Sequence, residues 1–262
     1  MRTKQVITWF GLKKTFTKPR SVQPGKNVIL GVHYFYGHFE EGELIELTGE
    51  EARHASVLRL KPGELVGLQD GRGTIRIGET VLADQKKVLF KIISKQTYPP
   101  GTPRIHLAVS LIKDRDRMEW LIEKITELGV AEFTPLICNH TEKSTFNKER
   151  WEKIINAAFK QCGRAWRPVL HELTAFDTFI KQNFNGHLCI AIQSGRPFSE
   201  IQQGFKIPEI VFCVGPEGDF TKQEVELAEN RGFERISLGT TRYRTETAGL
   251  FGAMRLSLLD LH

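Results

Sequence analysis

Two rhythms of hydrophobic and polar residues divide this chain. The first part carries short strand-like runs, at Val28–Tyr36, Leu44–Leu47, Leu65–Gln69, Thr74–Ile77, Thr80–Leu82 and Val88–Ser94. Lys61-Pro62-Gly63 and Asp70-Gly71-Arg72-Gly73 separate several of them, since Pro presets a turn and Gly accepts the positive φ that turns require. One helix interrupts, with Thr48 as its cap and Glu50 through Leu58 as its body. Many short strands in so little chain predict a small β-barrel over residues 28–98. Tyr98-Pro99-Pro100-Gly101-Thr102-Pro103 then stops regular structure, because Pro cannot donate to a ladder or continue a helix.

From residue 104 the rhythm alternates between strands and helices. Strands are expected at Ile105–Leu111, Phe133–Cys138, Leu188–Gln193, Ile210–Val214 and Arg235–Leu238. Met118, Leu121, Ile122, Ile125 and Leu128 share one face of a helix from Asp114 to Leu128. Trp151, Ile154, Ile155, Ala158 and Phe159 do the same in a helix from Lys148 to Cys162. Thr221 with Glu224 forms a capping box, and a last, largely apolar helix runs from Glu246 to Leu261. Such alternation predicts a parallel sheet with helices on both faces over residues 104–262.

Composition adds bounds. The 262 residues, 40% hydrophobic and 26% charged, suit a folded chain of about two domains. No apolar run approaches the roughly 20 residues a membrane helix needs. The net charge of +6 has one source. Residues 1–27 hold seven Lys or Arg and no acid, so the remaining chain stands at −1. This leader reads as a disordered basic arm or start-site extension, with an RNA-touching arm or an organelle transit peptide as the other readings. Cys138, Cys162, Cys189 and Cys213 stand singly, which points to buried thiols and neither a zinc site nor a disulfide framework.

Three segments carry chemistry. Gly215-Pro216-Glu217-Gly218-Asp219-Phe220 follows an apolar strand, at the edge where parallel sheets bind ligands. It lacks the spacing of a dinucleotide fingerprint, and no phosphate-binding P-loop sequence occurs in the chain. Leu238-Gly239-Thr240-Thr241-Arg242-Tyr243-Arg244-Thr245-Glu246 leads into the last helix. A cation at Arg244 opposes the positive end of that helix, so it points to an anionic partner. Lys113-Asp114-Arg115-Asp116-Arg117 stands at the end of the first strand of the second part.

Together with His54, Val57-Leu58-Arg59 and Gln161-Cys162-Gly163-Arg164, these segments make residues 28–262 resemble the ribosomal RNA small subunit methyltransferase E family of the SPOUT superfamily. The resemblance implies a SPOUT-type α/β parallel sheet with a C-terminal trefoil knot, preceded by a PUA-like β-barrel. It implies methylation of a uridine N3 in 16S ribosomal RNA by S-adenosylmethionine, by a cytoplasmic homodimer that acts on RNA or on the small ribosomal subunit. No metal is implied, since a sulfonium methyl is already activated. Cofactor contacts carry over to Ile192, Gln193, Gly215, Glu217, Gly218, Ile236, Leu238, Gly239, Tyr243 and Thr245. Arg244 would stabilise charge on the uracil oxygens, with Glu246 and Glu217 as bases or positioning groups. His54, Arg59, Arg117 and Arg164 would meet RNA. Three departures stand out: Asp219 where the family has a second glycine, Thr241 with Arg242-Tyr243 in the arginine loop, and Arg53 beside a single histidine. A SPOUT enzyme with another RNA target, or a non-catalytic RNA-binding assembly factor, remain the alternative readings.

Overall fold

The computed structural model describes residues 32–84, 86–142, 146–200 and 208–261. The basic leader and the start of the expected strand Val28–Tyr36 lie outside the described residues. The first five strands are β1 (His33–Tyr36), β2 (Leu44–Thr48), β3 (Leu65–Gln69), β4 (Thr74–Ala83) and β5 (Lys87–Thr97). They form one sheet in the order β1-β3-β4-β5-β2, with β1 parallel to β3 and the other pairs antiparallel. Phe35 on one edge strand and Ile45 and Leu47 on the other share a core with Val66, Leu68, Val88 and Phe90. The sheet therefore curls around that core. Helix α1 (Gly49–Val57) plugs it with the fully buried Ala52 and Ala55.

Two expected strands, Thr74–Ile77 and Thr80–Leu82, are one. Gly78 does not end the strand: a Cβ there would stand 3.0 Å from that of Phe90, and the register shifts at Ile77/Gly78 absorb the misfit. The glycine thus marks a bulge and close approach, not a turn. Thr48 occupies the N-cap of α1 without a side-chain capping bond.

The second sheet is entirely parallel. Its strands are β6 (Arg104–Ser110), β7 (Glu132–Ile137), β8 (Val169–Leu170), β9 (Thr174–Ala175), β10 (His187–Pro197), β11 (Glu209–Val214) and β12 (Glu234–Ser237). The order is β12-β10-β11-β6-β7-β8, with β9 also on β7. Successive residues of a strand face opposite sides, so each strand feeds two cores. Leu107 and Val109 join the cluster of α2 (Arg115–Leu128), α3 (Lys148–Cys162) and α6 (Thr245–Ser257). Ala108 joins the other cluster, under α4 (Phe176–Phe179) and α5 (Lys222–Glu229). Helices thus cover both faces, as the alternation predicts. Thr221 with Glu224 makes the expected capping box, and side chains also cap α2 and α3: Asp114 accepts from Arg117 N and Asn147 from Arg150 N. The last helix ends at Ser257 and passes into a 3-10 turn over Leu258–Leu261. The short β8, β9 and α4 were not expected, because such brief elements leave no period to read.

Candidate functional site

The parallel sheet sets where a ligand can sit. After β6 the chain turns through α2 toward β7, whereas after β11 it turns through α5 toward β12 on the opposite side. The loops leaving β6 and β11 therefore diverge and open a crevice at the carboxyl edge, the place where α/β sheets bind ligands. A cavity of about 370 Å³ occupies it, lined by Leu111, Ile112, Lys113, His140, Glu142, Pro216, Glu217 and Gly218. Its walls are tied together. Glu224 completes its capping box and also accepts from Asn139 N at 2.8 Å, holding the β7 loop against the β11 loop. His140 Nδ1 lies 3.1 Å from Gly218 O and 3.0 Å from Asp219 O.

Beside this crevice, three loops converge. Strand β10 arches outward from Ile192 to Gly195, since Ala191 and Arg196 both pair with Ile236. Gln193 Nε2 donates to Thr240 O at 3.5 Å, Arg242 Nη2 to Glu217 O at 2.9 Å, and Thr245 Oγ1 to Gly215 O at 3.0 Å. These bonds tether the loops after β10, β11 and β12 to one another. Gly239, at φ 137°, has open space where a side chain would be.

Charge concentrates at the junction of the two regions. Arg117 lies 3.0 Å from Asp114, 3.6 Å from Glu217 and 3.9 Å from Glu246. Glu246 is buried in the first turn of α6, and its Oε2 has no hydrogen-bond partner among the described residues. Arg244 is the N-cap of α6, exposed, and makes no side-chain capping bond. A cation at that end of a helix is held there against the dipole.

Comparison with known proteins agrees with this geometry. Residues 100–257 match the model of an RNA methyltransferase domain, and residues 47–93 that of an RNA methyltransferase PUA domain. The ribosomal RNA small subunit methyltransferase E of Rickettsia conorii is 30% identical over 237 residues, covering 87% of this chain and 96% of that protein. The chain belongs to the ribosomal RNA small subunit methyltransferase E family. The family member of Synechocystis is 32% identical over 211 residues, covering 78% of this chain and 69% of that protein. The crystal structure of the Neisseria gonorrhoeae member, bound to S-adenosyl methionine, superposes with a TM-score of 0.77 at 28% identity, covering 87% of this chain and 98% of that one.

Within this family member, the fold gathers some expected site residues and separates others. Gln193, Gly215, Glu217, Thr245 and Glu246 meet around the tethered loops, with Gly218 beside them on the cavity wall. Ile236 is buried in β12, Leu238 packs at its end, and Ile192 packs in the α4–α5 core. Tyr243 stacks on Phe251 at 5.3 Å. Elsewhere, His54 packs 5.6 Å from the Phe35 ring and 3.8 Å from Glu51, while Arg59 is exposed at the end of α1 with φ 54°. Arg164 donates to the carbonyls of Glu127 and Leu128 at 2.8 Å each, closing the last turn of α2.

Two departures from the family pattern find a physical reason. Asp219 adopts φ 65°, the left-handed conformation glycine favours. Asp is among the few residues that tolerate it, and Oδ1 accepts from Phe220 N at 2.8 Å. Its carboxylate thus serves its own turn. Arg242, in place of an aliphatic residue, ties the arginine loop to Glu217. Sequence reasoning did not single out His140 or Gly195. His140 carries no local signal, and Gly195 shows its reason only in space: a Cβ would come within 2.6 Å of the Arg235 backbone.

Proposed function

We propose that this chain methylates N3 of a uridine in small-subunit ribosomal RNA, using S-adenosylmethionine. The observation that carries this reading is the tethered junction of the β10, β11 and β12 loops, with Arg244 following it at the start of α6, in a chain of this family. The residues fit the methyl donor. Open space stands at Gly239, and at Glu246 a buried carboxylate oxygen has no hydrogen-bond partner among the described residues. Gly215, Gln193, Leu238 and Gly239 would hold its adenine and ribose through the backbone, and Glu246 suits its cationic portion. When bound, the donor supplies a methyl already activated by a positive sulfur.

Uridine N3–H is a weak acid, so the protein must accept a proton and stabilise charge that spreads to the flanking carbonyl oxygens. Arg244, exposed and without a side-chain capping bond among the described residues, would do the second. The division of labour follows the two sheets: residues 28–98 hold RNA, and residues 104–262 transfer the methyl. Homodimerisation, a knotted C-terminal segment and a cytoplasmic location complete this reading. Light scattering on the purified chain checks the first.

The decisive experiment pairs Arg244→Ala with small subunits from a strain lacking the gene. Turnover at saturating donor should fall about 100-fold, the usual scale for losing one charge-stabilising donor. Donor affinity and melting temperature should hold. Near-normal turnover would remove Arg244 from the mechanism. Mass spectrometry should also find one N3-methyluridine missing from that strain and restored by the gene.

A further inference from the structure

We infer that the cavity between the loops after β6, β7 and β11 receives the target uracil, with Glu217 taking its N3 proton and Lys113 facing its carbonyl oxygens. This rests on the proposed function and locates the base within it. The cavity sits at the point where the loops after β6 and β11 diverge, separate from the tethered β10 and β12 loops. Both regions share Glu217: it lines the cavity, and its carbonyl accepts from Arg242. A base in the cavity and a methyl donor among the tethered loops would therefore meet at Glu217, with N3 facing the methyl carbon directly. Its volume of about 370 Å³ falls within the usual range of small-molecule sites, roughly 300–1,000 Å³.

The lining suits a flat polar ring. Leu111, Ile112 and Pro216 give the lining apolar surface, and Lys113, Glu142 and Glu217 give it charge. Enzymes that act on a nucleobase draw it out of its stack into such a pocket. Between the two candidate bases the geometry decides. The Glu246 side chain is 7% exposed and does not line the cavity, whereas Glu217 is 46% exposed and does. Arg117, 3.6 Å away, positions the Glu217 carboxylate. In the transfer, N3 forms a bond to the methyl carbon as the carbon–sulfur bond breaks. The bonding pair leaves on sulfur, giving neutral S-adenosylhomocysteine, and the N3 proton passes to Glu217.

Two variants and one cross-link test this. Lys113 is exposed, so Lys113→Trp fills the mouth of the cavity without disturbing the core. It should lower kcat/KM for RNA at least tenfold and leave donor affinity, by calorimetry, within about twofold. Glu217→Gln should lower kcat about 100-fold, while donor affinity stays within about twofold. RNA carrying 4-thiouridine at the methylated position should cross-link to peptides holding Leu111–Lys113 or His140–Glu142. Normal methylation by both variants, or cross-links only elsewhere, would overturn the inference while the methyltransferase reading stands. Loss of donor binding in Lys113→Trp would overturn it too, by assigning the cavity to the donor. Absence of methylation by the unaltered chain would instead remove the proposed function, and the inference with it.

Discussion

Arg117 carries more of the site than its place in a run of alternating charges suggests. It faces three carboxylates at once, and only the folding of α2 against the β11 loop and α6 brings Glu217 and Glu246 to it. A second ionisable group, on β6, shapes acid stability. His106 is buried on β6, with Nε2 2.7 Å from Thr134 Oγ1. Burial holds its pKa down at about 4, in spite of the nearby Glu132 carboxylate. Glu132 is pulled down to about 2, chiefly by its hydrogen bond with His171 and also by Arg104. Unfolding lets His106 take up a proton below its ordinary pKa of about 6.5, so its neutral form costs stability as pH falls from about 6.5 toward 4. Glu132 acts in the same direction lower down: its contribution is complete above about 4.5 and is lost as pH drops toward 2. Urea denaturation should therefore show a loss on the order of 2–3 kcal/mol between pH 7 and 4.5. In His106→Gln that slope should flatten. An unchanged slope would place the titrating group elsewhere.

At the scale of elements, glycines decide how closely the site's parts approach. On α6, a Cβ at Gly252 would stand 2.3 Å from the Phe212 ring of β11. Gly252→Ala should cost about 1–3 kcal/mol through overpacking, seen as a lower melting temperature with donor affinity little changed. Gly195→Ala should behave differently, because its Cβ meets the Arg235 and Ile236 backbone, which cannot rotate away. The arch from Ile192 to Gly195 must shift, and donor affinity should fall about tenfold or more. Equal donor affinities for the two variants would show that the arch is no part of the cofactor site. The helices themselves were legible, since α2 and α3 show a clear apolar face and α5 a capping box. The arch was not: its residues read as the end and flank of an ordinary strand, and nothing local reports that β12 pairs on either side of it.

The whole molecule joins its two sheets through the end of α3 and the segment after it. Gln69 Nε2 donates to Arg164 O at 2.6 Å, Trp166 Nε1 to Tyr98 O at 3.0 Å, and Lys160 meets Glu51 at 2.8 Å. Arg164 is thus a joint in the structure, capping α2 while its carbonyl receives the first sheet. Charge at this scale belongs to the leader: the chain falls from +6 to −1 without residues 1–27. A chain lacking them should keep its turnover on saturating small subunits within about twofold. Its non-specific RNA affinity should weaken and depend less steeply on salt, as fewer counterions are released. Loss of turnover would make the leader part of the site.

Local pattern determined the class of each half, the parallel and curled sheets and most helix ends, because periodicity and capping are written within a few residues. The strand order, the Arg117 cluster, the cavity beside Glu217 and the structural duty of Arg164 were decided only by the tertiary structure. Each depends on which strands lie side by side, and residues as distant as Arg117 and Glu246 become neighbours only when β6 and β11 pair.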